Sequence, residues 1–330
     1  MPSSQAPYKD TQRPGMLRRA VGRAMKVPPA KDRYARLREI ESLDPVKDCQ
    51  RIYWLHKEDF KAAGAFLVTA GLYITYAAPR MSRILHQSGE LENRVLKRLV
   101  DTILLDETQK QHGYGSGPGR DALRRVNEMH KKYDIHPDDF VLINCNDAVL
   151  GTWLAETYGW RPLSDNERIA IVEFYKLRGS YMAGKGKQPE TYEGMAELVE
   201  NWKKEQLRFE PQNKILADSL MEFVLSNVPK IFRPIARAFF LSVGPDERLI
   251  TNCHHKMPPA WVQKICRAAM KVYGRADPLT DGLMPQTQKL VDRVYPNGYS
   301  VNRLGTHLRP AQPDTATTLD ETGTVGGRLA

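Results

Sequence analysis

Three polar side chains interrupt the apolar faces of two neighbouring helices predicted from the sequence. Arg98 and Thr102 lie one helical turn apart in the predicted helix 90–109, on a stripe that otherwise carries Leu and Val. His130 lies on the apolar stripe of the next predicted helix, 119–133. A cation, a hydroxyl and an imidazole on facing helices would suit the floor of a buried cofactor pocket. An enzyme is therefore favoured over an inert helical domain.

The guanidinium of Arg98 needs a partner if it is buried. A buried cation is costly to the folded state unless an anion or a hydrogen-bonded network meets it. A cofactor carboxylate, such as a haem propionate, would be a suitable partner. The alternative is a structural ion pair with Asp or Glu of another helix. Position on the stripe alone favours that structural pair, because long charged side chains also reach solvent from apolar surfaces.

The imidazole of His130 has two interpretations as well. It is either a hydrogen-bonded core histidine, which periodicity alone favours, or a metal ligand. No HExxH motif and no second histidine motif accompanies it, so a metal held there would need a macrocycle to supply the other ligands, as haem does. The adjacent His254 and His255 point in different directions in any regular element, and with Cys253 they make a poor metal site.

The longest uncharged run, residues 62–79, mixes aromatic and small residues. We interpret Phe66, Tyr73 and Tyr76 as candidates for the wall of an apolar substrate pocket, with tight helix packing as the alternative. The run has 18 residues, which is borderline for crossing a bilayer. Its two Gly, two Thr and two Tyr lower its hydrophobicity, and a buried central helix is therefore the preferred interpretation.

Composition excludes several classes of function. The chain has 330 residues and a net charge of +10, but residues 1–40 hold ten Lys and Arg against three Asp and Glu. The remainder is only mildly basic, which argues against a nucleic-acid-binding surface. Four cysteines without a CxxC spacing argue against a disulfide framework or a zinc site. No signal peptide is visible, so we expect an intracellular protein, either cytoplasmic or peripheral to a membrane.

The chain divides into three parts. Residues 1–31 form a basic, partly disordered segment, 32–305 a single large helical domain, and 306–330 a tail predicted to be disordered. Within the first part, residues 16–26 form a short basic amphipathic segment that can bind an anionic membrane surface. A solvated helix packed on its own domain and a mitochondrial presequence are the alternatives.

The fold class predicted for the domain is all-α, because no alternating run is long enough for a sheet. Ser164 and Glu167 form a capping box ahead of an apolar run. The predicted helices are 32–43, 57–77, 79–87, 90–109, 119–133, 138–157, 165–182, 190–209, 212–227, 229–242, 258–273 and 284–293.

Several short motifs then occur in a fixed order. They are Arg98-x-x-x-Thr102, a Gly-rich loop and His130, Tyr158-Gly-Trp-Arg-Pro-Leu-Ser164 with Glu167, Gly179-x-x-Met182, and Tyr295-Pro-Asn-Gly-Tyr299 with Leu304-Gly305. Over residues 50–305 this order and spacing resemble the haem-dependent oxygenases typified by the fungal MpaB oxygenase and the bacterial rubber oxygenases, and the final motif resembles the MpaB branch.

The resemblance implies a fold and a chemistry. The fold would be all-α, with a globin-like haem core wrapped by additional helices. His130 would be the proximal ligand of the iron of haem b, and Arg98 and Thr102 would lie in the haem pocket. Members of the family use O2 to cleave carbon–carbon double bonds of isoprenoid chains, so the expected partners are O2 and an apolar small molecule, with no nucleic acid.

Two differences from the rubber oxygenases matter. A Lys that precedes the Thr in those enzymes is Asp101 here, and the position of their catalytic Glu falls near Ser82. Glu90 and Glu92 are close in sequence, but the general base stays unassigned. Two alternatives to an oxygenase are therefore kept: a haem-binding or haem-sensing protein without turnover, and a helical interaction protein peripheral to a membrane.

Overall fold

The computed structural model describes residues 15–115, 117–182, 186–244 and 246–306, together with two short backbone segments near the carboxyl terminus. Those two segments, Thr318–Leu319 and Val325–Gly326, pair as antiparallel strands. The predicted disorder of the first residues and of the tail concerns positions that mostly lie outside the described residues. From residue 15 to residue 306 the described secondary structure is helical, which confirms the all-α prediction.

The helices follow one another with short connections. In chain order they are α1 (Met16–Met25), α2 (Ala35–Ser42), α3 (Cys49–Asp59), α4 (Lys61–Gly64), α5 (Leu67–Tyr76), α6 (Pro79–Ser88), α7 (Glu90–Asn93), α8 (Val95–His112), α9 (Gly117–His130), α10 (Pro137–Tyr158), α11 (Asp165–Tyr181), α12 (Tyr192–Gln206), α13 (Pro211–Ser226), α14 (Arg233–Ser242), α15 (Glu247–Asn252), α16 (Ala260–Arg275) and α17 (Pro285–Val294), with 3₁₀ turns at Lys230–Phe232 and Val301–Arg303.

The predicted helix 57–77 is wrong. The chain forms α3, α4 and α5 there, and α3 begins eight residues before the predicted start. The first break falls at Phe60, whose backbone leaves the helical region. The carbonyl oxygen of Asp59 accepts a hydrogen bond from Nε1 of Trp160 at 2.8 Å, and this tertiary contact replaces the helical one. The predicted helix 90–109 is likewise divided at Arg94 into α7 and α8.

The uncharged run 62–79 is not one buried helix. Pro79 opens α6, and a residue before proline is driven away from helical geometry, as the extended backbone of Ala78 shows. No single described helix is long and apolar enough to cross a bilayer. The pair Lys61–Tyr76 and Pro79–Ser88 meets the criterion of length and composition only when both parts are taken together, and it is bent by 107°.

The longest helix, α10, lies at the centre of the main apolar core. Its buried side chains include Leu142, Cys145, Ala148 and Leu154, and it packs against α5, α11, α12 and α16. A second apolar cluster joins α8 and α9 to α17 and the turn Val301–Arg303. The globin-like character of the core implied by the family resemblance stays a prediction.

The Gly-rich connection lets α8 and α9 turn back and pack against each other, as the sequence indicates. Gly113 and Gly117 have positive φ angles of 75° and 59°. A Cβ atom on Gly119 would lie 1.8 Å from the carbonyl oxygen of Gly113, so only glycine allows this approach. The turn brings the last residue of α9, His130, towards the face of α8 that carries Arg98.

The basic amphipathic segment 16–26 forms α1 and packs on the domain. The Nε atom of Arg18 donates to the carbonyl oxygen of Asp277 at 3.2 Å, and both Arg18 and Gly22 are buried. The side of α1 that carries Arg18 and Gly22 therefore packs on the domain, as one of the alternatives for this segment predicted. Membrane contact through residues 16–26 stays a prediction.

Candidate active site

Arg98 and Thr102 contact each other on successive turns of α8. Nη1 of Arg98 donates to Oγ1 of Thr102, and the Thr102 hydroxyl donates to the carbonyl oxygen of Arg98 at 2.8 Å. Among the described residues no Asp or Glu pairs with Arg98. The structural ion pair that stripe position favoured is therefore not formed there, and no described carboxylate lies within ion-pair distance of the half-buried guanidinium.

His130 presents a neutral imidazole with a buried nitrogen that has no partner in the described part of the chain. Its Nδ1 atom makes no hydrogen bond there, and the ring lies 5.4 Å from the ring of Phe140. Burial lowers the pKa of His130 to about 4, and the charges of Arg98 and Arg178 act in the same direction. A hydrogen-bonded core histidine would have a partner at Nδ1, and His130 has none there among the described residues. A neutral imidazole has one nitrogen lone pair to offer to a metal ion.

A cavity of about 110 Å³ adjoins His130, and Arg98 and Glu90 also line it. Of the two carboxylates noted in the sequence, Glu90 thus lines the cavity, and it forms an ion pair with the exposed Arg94. Glu92 instead accepts a hydrogen bond from Nδ1 of His86 at 2.6 Å. Thr102 does not line the cavity, but its hydroxyl contacts Arg98, which does.

Asp101 fastens the carboxyl-terminal motif to the wall of this cavity. Its carboxylate accepts hydrogen bonds from Nζ of Lys97 at 2.5 Å, from the amide of Gly305 at 2.9 Å and from the hydroxyl of Tyr295. A Cβ atom on Gly305 would lie 2.1 Å from Sδ of Met129, and its φ angle is 80°. The acidic residue at the position of the rubber oxygenase Lys is therefore structural, because three donors occupy it.

The motif Tyr158–Ser164 with Glu167 forms a buried ion network away from His130. Arg161 donates to Asp59 and to Glu167, each at 2.7 Å, and Nδ1 of His56 donates to Glu167 at 3.1 Å. Burial raises the pKa of Glu167, but the hydrogen bonds from His56 and Arg161 outweigh it and lower the pKa to about 2. Glu167 also completes the predicted capping box with Ser164, which is confirmed.

The three aromatic residues predicted for a substrate pocket do not share one wall. Phe66 and Tyr73 line a larger cavity of about 400 Å³, together with apolar residues of α10, α14 and α15. Tyr76 is fully buried outside that cavity, with its ring 5.9 Å from that of Tyr73. Burial raises the pKa of Tyr76 and the charge of Arg98 opposes this rise, so Tyr76 lies within electrostatic range of Arg98.

The wall of the larger cavity carries a hydrogen-bonded chain that the sequence does not reveal. The hydroxyl of Tyr73 lies 3.1 Å from Nδ1 of His255, and Nε2 of His255 lies 2.9 Å from Oδ1 of Asp218. Because a carboxylate only accepts, His255 donates through Nε2, and its Nδ1 accepts a hydrogen bond from the hydroxyl of Tyr73. His255 is therefore engaged in this chain, and its neighbour His254 stacks on Phe209 instead.

The cavity at His130 contains one imidazole and, among the described residues, no set of side chains that could coordinate a bare metal ion. Within the described part of the chain, no group of three His, Cys, Asp or Glu side chains could hold a bare metal ion. An ion held at His130 would therefore bring most of its own ligands.

A family model of the catalytic domain shared by the ER-bound oxygenases mpaB and mpaB′ and the rubber oxygenases matches residues 58–287. The chain belongs to this family. The matched range includes Arg98, Thr102, His130 and the Tyr73–His255–Asp218 chain, whereas the Tyr295–Gly305 segment lies beyond it.

Individual members of the oxygenase family show the same distant similarity. The ER-bound oxygenase mpaB of Penicillium roqueforti (strain FM164) is 27% identical over 248 residues, which cover 66% of this chain and 82% of that protein. The ER-bound oxygenase mpaB′ of Penicillium brevicompactum is 26% identical over 260 residues, which cover 69% of this chain and 61% of that protein. Membership of an oxygenase family indicates an enzyme that acts on a small molecule with O2.

Proposed function

We propose that this chain is a haem b-dependent oxygenase that uses O2 to cleave or oxygenate a C=C bond of an apolar, isoprenoid-like small molecule. The observation that supports it most is the buried Nδ1 atom of His130, which has no hydrogen-bond partner among the described residues. Leaving a buried polar atom unpaired costs free energy, typically about 1 to 3 kcal/mol. A site that keeps such an atom on a neutral imidazole, near the guanidinium of Arg98 that forms no ion pair with a described residue, suits an iron ligand.

The residues have distinct roles in this proposal. When bound, haem would supply the iron chemistry that activates O2. His130 would hold the iron from one side, and its low proton affinity keeps the nitrogen free for coordination at neutral pH. Arg98 would meet a haem carboxylate, and the contact with Thr102 limits the rotamers of Arg98 before the anion arrives.

The side chains of His130 and Arg98 are of the types that hold haem, but the cavity beside them is smaller than a haem group needs. The cavity at His130 measures about 110 Å³, whereas ligand pockets usually begin at roughly 300 Å³. We therefore infer that haem binding moves the side chains around the cavity apart. The backbone there is held on one side by the contacts of Asp101, so we expect the opposite wall to move.

The larger cavity supports an apolar small molecule as the substrate. Its volume of about 400 Å³ lies within the usual range of ligand pockets, and aromatic and aliphatic side chains form most of its wall. A polymer chain would need a longer open groove, so we propose a compact isoprenoid-like alkene. The Tyr73 hydroxyl, already committed to His255, leaves its oxygen lone pairs to accept a hydrogen bond.

Absorption spectroscopy tests the haem part of the proposal. Protein produced with added haem precursor should show a Soret band, and His130→Ala should lose it. His112→Ala is the matched control, since Nε2 of His112 is also buried without a partner in the described structure and burial also lowers its pKa. A colourless wild-type protein, or a band that survives in His130→Ala, would contradict the proposal.

A haem-binding protein without turnover is the second candidate. It is favoured by the environment of the general-base position, where the hydroxyl of Ser82 donates to Oδ1 of Asn213 at 2.7 Å, so that an amide rather than a carboxylate is its partner. Oxygen consumption by the haem-loaded protein with geraniol, a compact ten-carbon isoprenoid alkene, separates the two functions. Oxygen uptake with a carbonyl product supports the oxygenase, and an intact Soret band with neither supports the second candidate.

A further inference from the structure

Two helices that pack against each other expose large apolar side chains to solvent. α14 contacts both α16 and the 3₁₀ turn that precedes it, and Nε of Arg267 donates to the carbonyl oxygen of Ser242 at 2.8 Å. Between 49% and 80% of the surface of each apolar residue in question is exposed. These residues are Ile231, Phe232, Ile235, Trp261, Ile265 and Val272. We call this surface the basic apolar face.

The exposed residues of α16 form one continuous stripe. Trp261, Ile265 and Val272 are spaced by four and seven residues, which places them on one side of a helix. The opposite side of α16 is buried against the domain through Cys266 and Met270. The helix is therefore apolar on its buried side and again along the stripe that faces solvent.

The two chain segments that form the basic apolar face carry positive charge and no negative charge. Residues 228–244 and 254–275 contain no Asp or Glu. Lys230, Lys264 and Lys271 are exposed, and in the described part of the chain none of them has an acidic partner. Lysine and arginine beside Trp, Phe and Ile are typical of helices that lie in the interface of an anionic membrane.

We propose that the basic apolar face docks on the surface of an anionic lipid bilayer. The apolar side chains would enter the boundary between headgroups and acyl chains, and the lysines would contact the lipid phosphates. A second copy of the chain fits less well, because a two-fold interface would set this basic surface against itself and place like charges opposite each other. The proposal does not depend on haem binding.

The position of α14 gives the face a connection to the interior. Phe240, near the far end of the same helix, and Val243, which directly follows that helix, line the cavity of about 400 Å³. Phe239 contacts Phe66 with 5.8 Å between ring centroids. A bilayer held at Ile231 and Ile235 would therefore lie against the helix that walls the cavity.

Vesicle flotation of the full chain tests the apolar contribution. We expect binding to phosphatidylcholine vesicles that contain phosphatidylserine and much weaker binding to vesicles of phosphatidylcholine alone. Ile231→Glu/Phe232→Glu should weaken binding by at least roughly tenfold, since each side chain contributes a sizeable apolar area. Val46→Glu/Ile169→Glu, at exposed apolar sites elsewhere, is the matched control and should bind normally.

The charge contribution has its own variants. Lys264→Gln and Lys271→Gln should each weaken binding to the anionic vesicles by roughly fivefold, and added salt should weaken the wild type. Arg19→Gln/Arg23→Gln on α1 tests the separate prediction of contact through residues 16–26. If only the α1 variant loses binding, the basic apolar face is not the docking surface.

A depth measurement distinguishes insertion from simple adsorption. Brominated phosphatidylcholine in the anionic vesicles should quench tryptophan emission, and Trp261→Phe should remove most of that quenching while vesicle binding persists. Absence of binding by the wild type, or unchanged binding of Ile231→Glu/Phe232→Glu with a native circular dichroism spectrum, would overturn the proposal. A dimer in solution that this double variant dissociates would assign the face to self-association instead.

Discussion

Two buried polar regions of this molecule differ in how completely their groups are paired. Around Arg161 each charge meets an opposite one, since its guanidinium bridges Asp59 and Glu167 and His56 adds a further hydrogen bond. Around His130 the described residues leave the buried Nδ1 atom without a hydrogen bond and the nearby Arg98 without a carboxylate. Both regions contain motifs by which the chain resembles its family. The difference agrees with a structural role for the first motif and with the haem-binding role that we propose for the second.

The electrostatics of the two regions follow the same division. The Arg161 network stabilises charge and lowers the pKa of Glu167, whereas the His130 region keeps its imidazole neutral by burial. Charged side chains that already form ion pairs with one another attract a charged ligand only weakly. A neutral nitrogen beside an unpaired cation can hold a metal and an anion together.

The largest expected effect comes from Arg161→Ala. Removing the guanidinium takes away the cation that Asp59 and Glu167 share and leaves only Arg36 beside Asp59 and His56 beside Glu167, so we expect the free energy of unfolding to fall by about 3 to 5 kcal/mol. Urea unfolding followed by circular dichroism measures it. Arg168→Ala, which breaks an exposed pair with Glu156, is the control and should cost less than about 1 kcal/mol. Equal losses in the two variants would contradict the structural role assigned to the Arg161 network.

A smaller effect on the free energy of unfolding is expected at low pH. Because the pKa of Glu167 is about 2 in the folded state against 4.5 for the free side chain, its contribution is complete above pH 4.5 and is lost as the pH falls towards 2. The linked stability is about 3 kcal/mol, because each tenfold difference in proton affinity between the folded and unfolded states corresponds to about 1.4 kcal/mol. Glu167→Gln should flatten the decline of stability over this window. The surface variant Glu156→Gln should leave the decline unchanged.

The smallest effect on stability is expected at His130. His130→Leu removes a polar group whose buried nitrogen has no hydrogen bond to the described residues, so the free energy of unfolding of the haem-free protein should change by less than about 1 kcal/mol or rise. The same variant should bind no haem. A loss of stability comparable to that of Arg161→Ala would show that His130 is structural after all.

Local signals made much of the fold predictable. The capping box of Ser164 and Glu167 and the prolines that open α10 and α13 fix helix starts within a few residues, because caps and proline act on their own neighbourhood. The breaks inside the predicted helix 57–77 were not predictable in this way. The break at Phe60 involves Trp160, a residue about one hundred positions away that captures a backbone carbonyl.

The site shows the same limit. Arg98, Thr102 and His130 interrupt apolar stripes, and this pattern is visible in the sequence. Their lack of acidic partners among the described residues is a property of the whole fold, since any distant Asp or Glu would have changed it. Asp218, which completes the chain from Tyr73, and Gly305, which Asp101 holds, come from far along the sequence. Only their position in space gives them a role.

The anchoring of residues 304–306 has a practical consequence for handling the protein. Nε of Arg125 donates to the carbonyl oxygen of Leu304 at 2.8 Å, and Thr306 lines the cavity at His130. A fluorophore attached through Thr306→Cys would therefore lie in the wall of that cavity and would register its loading as a change in emission.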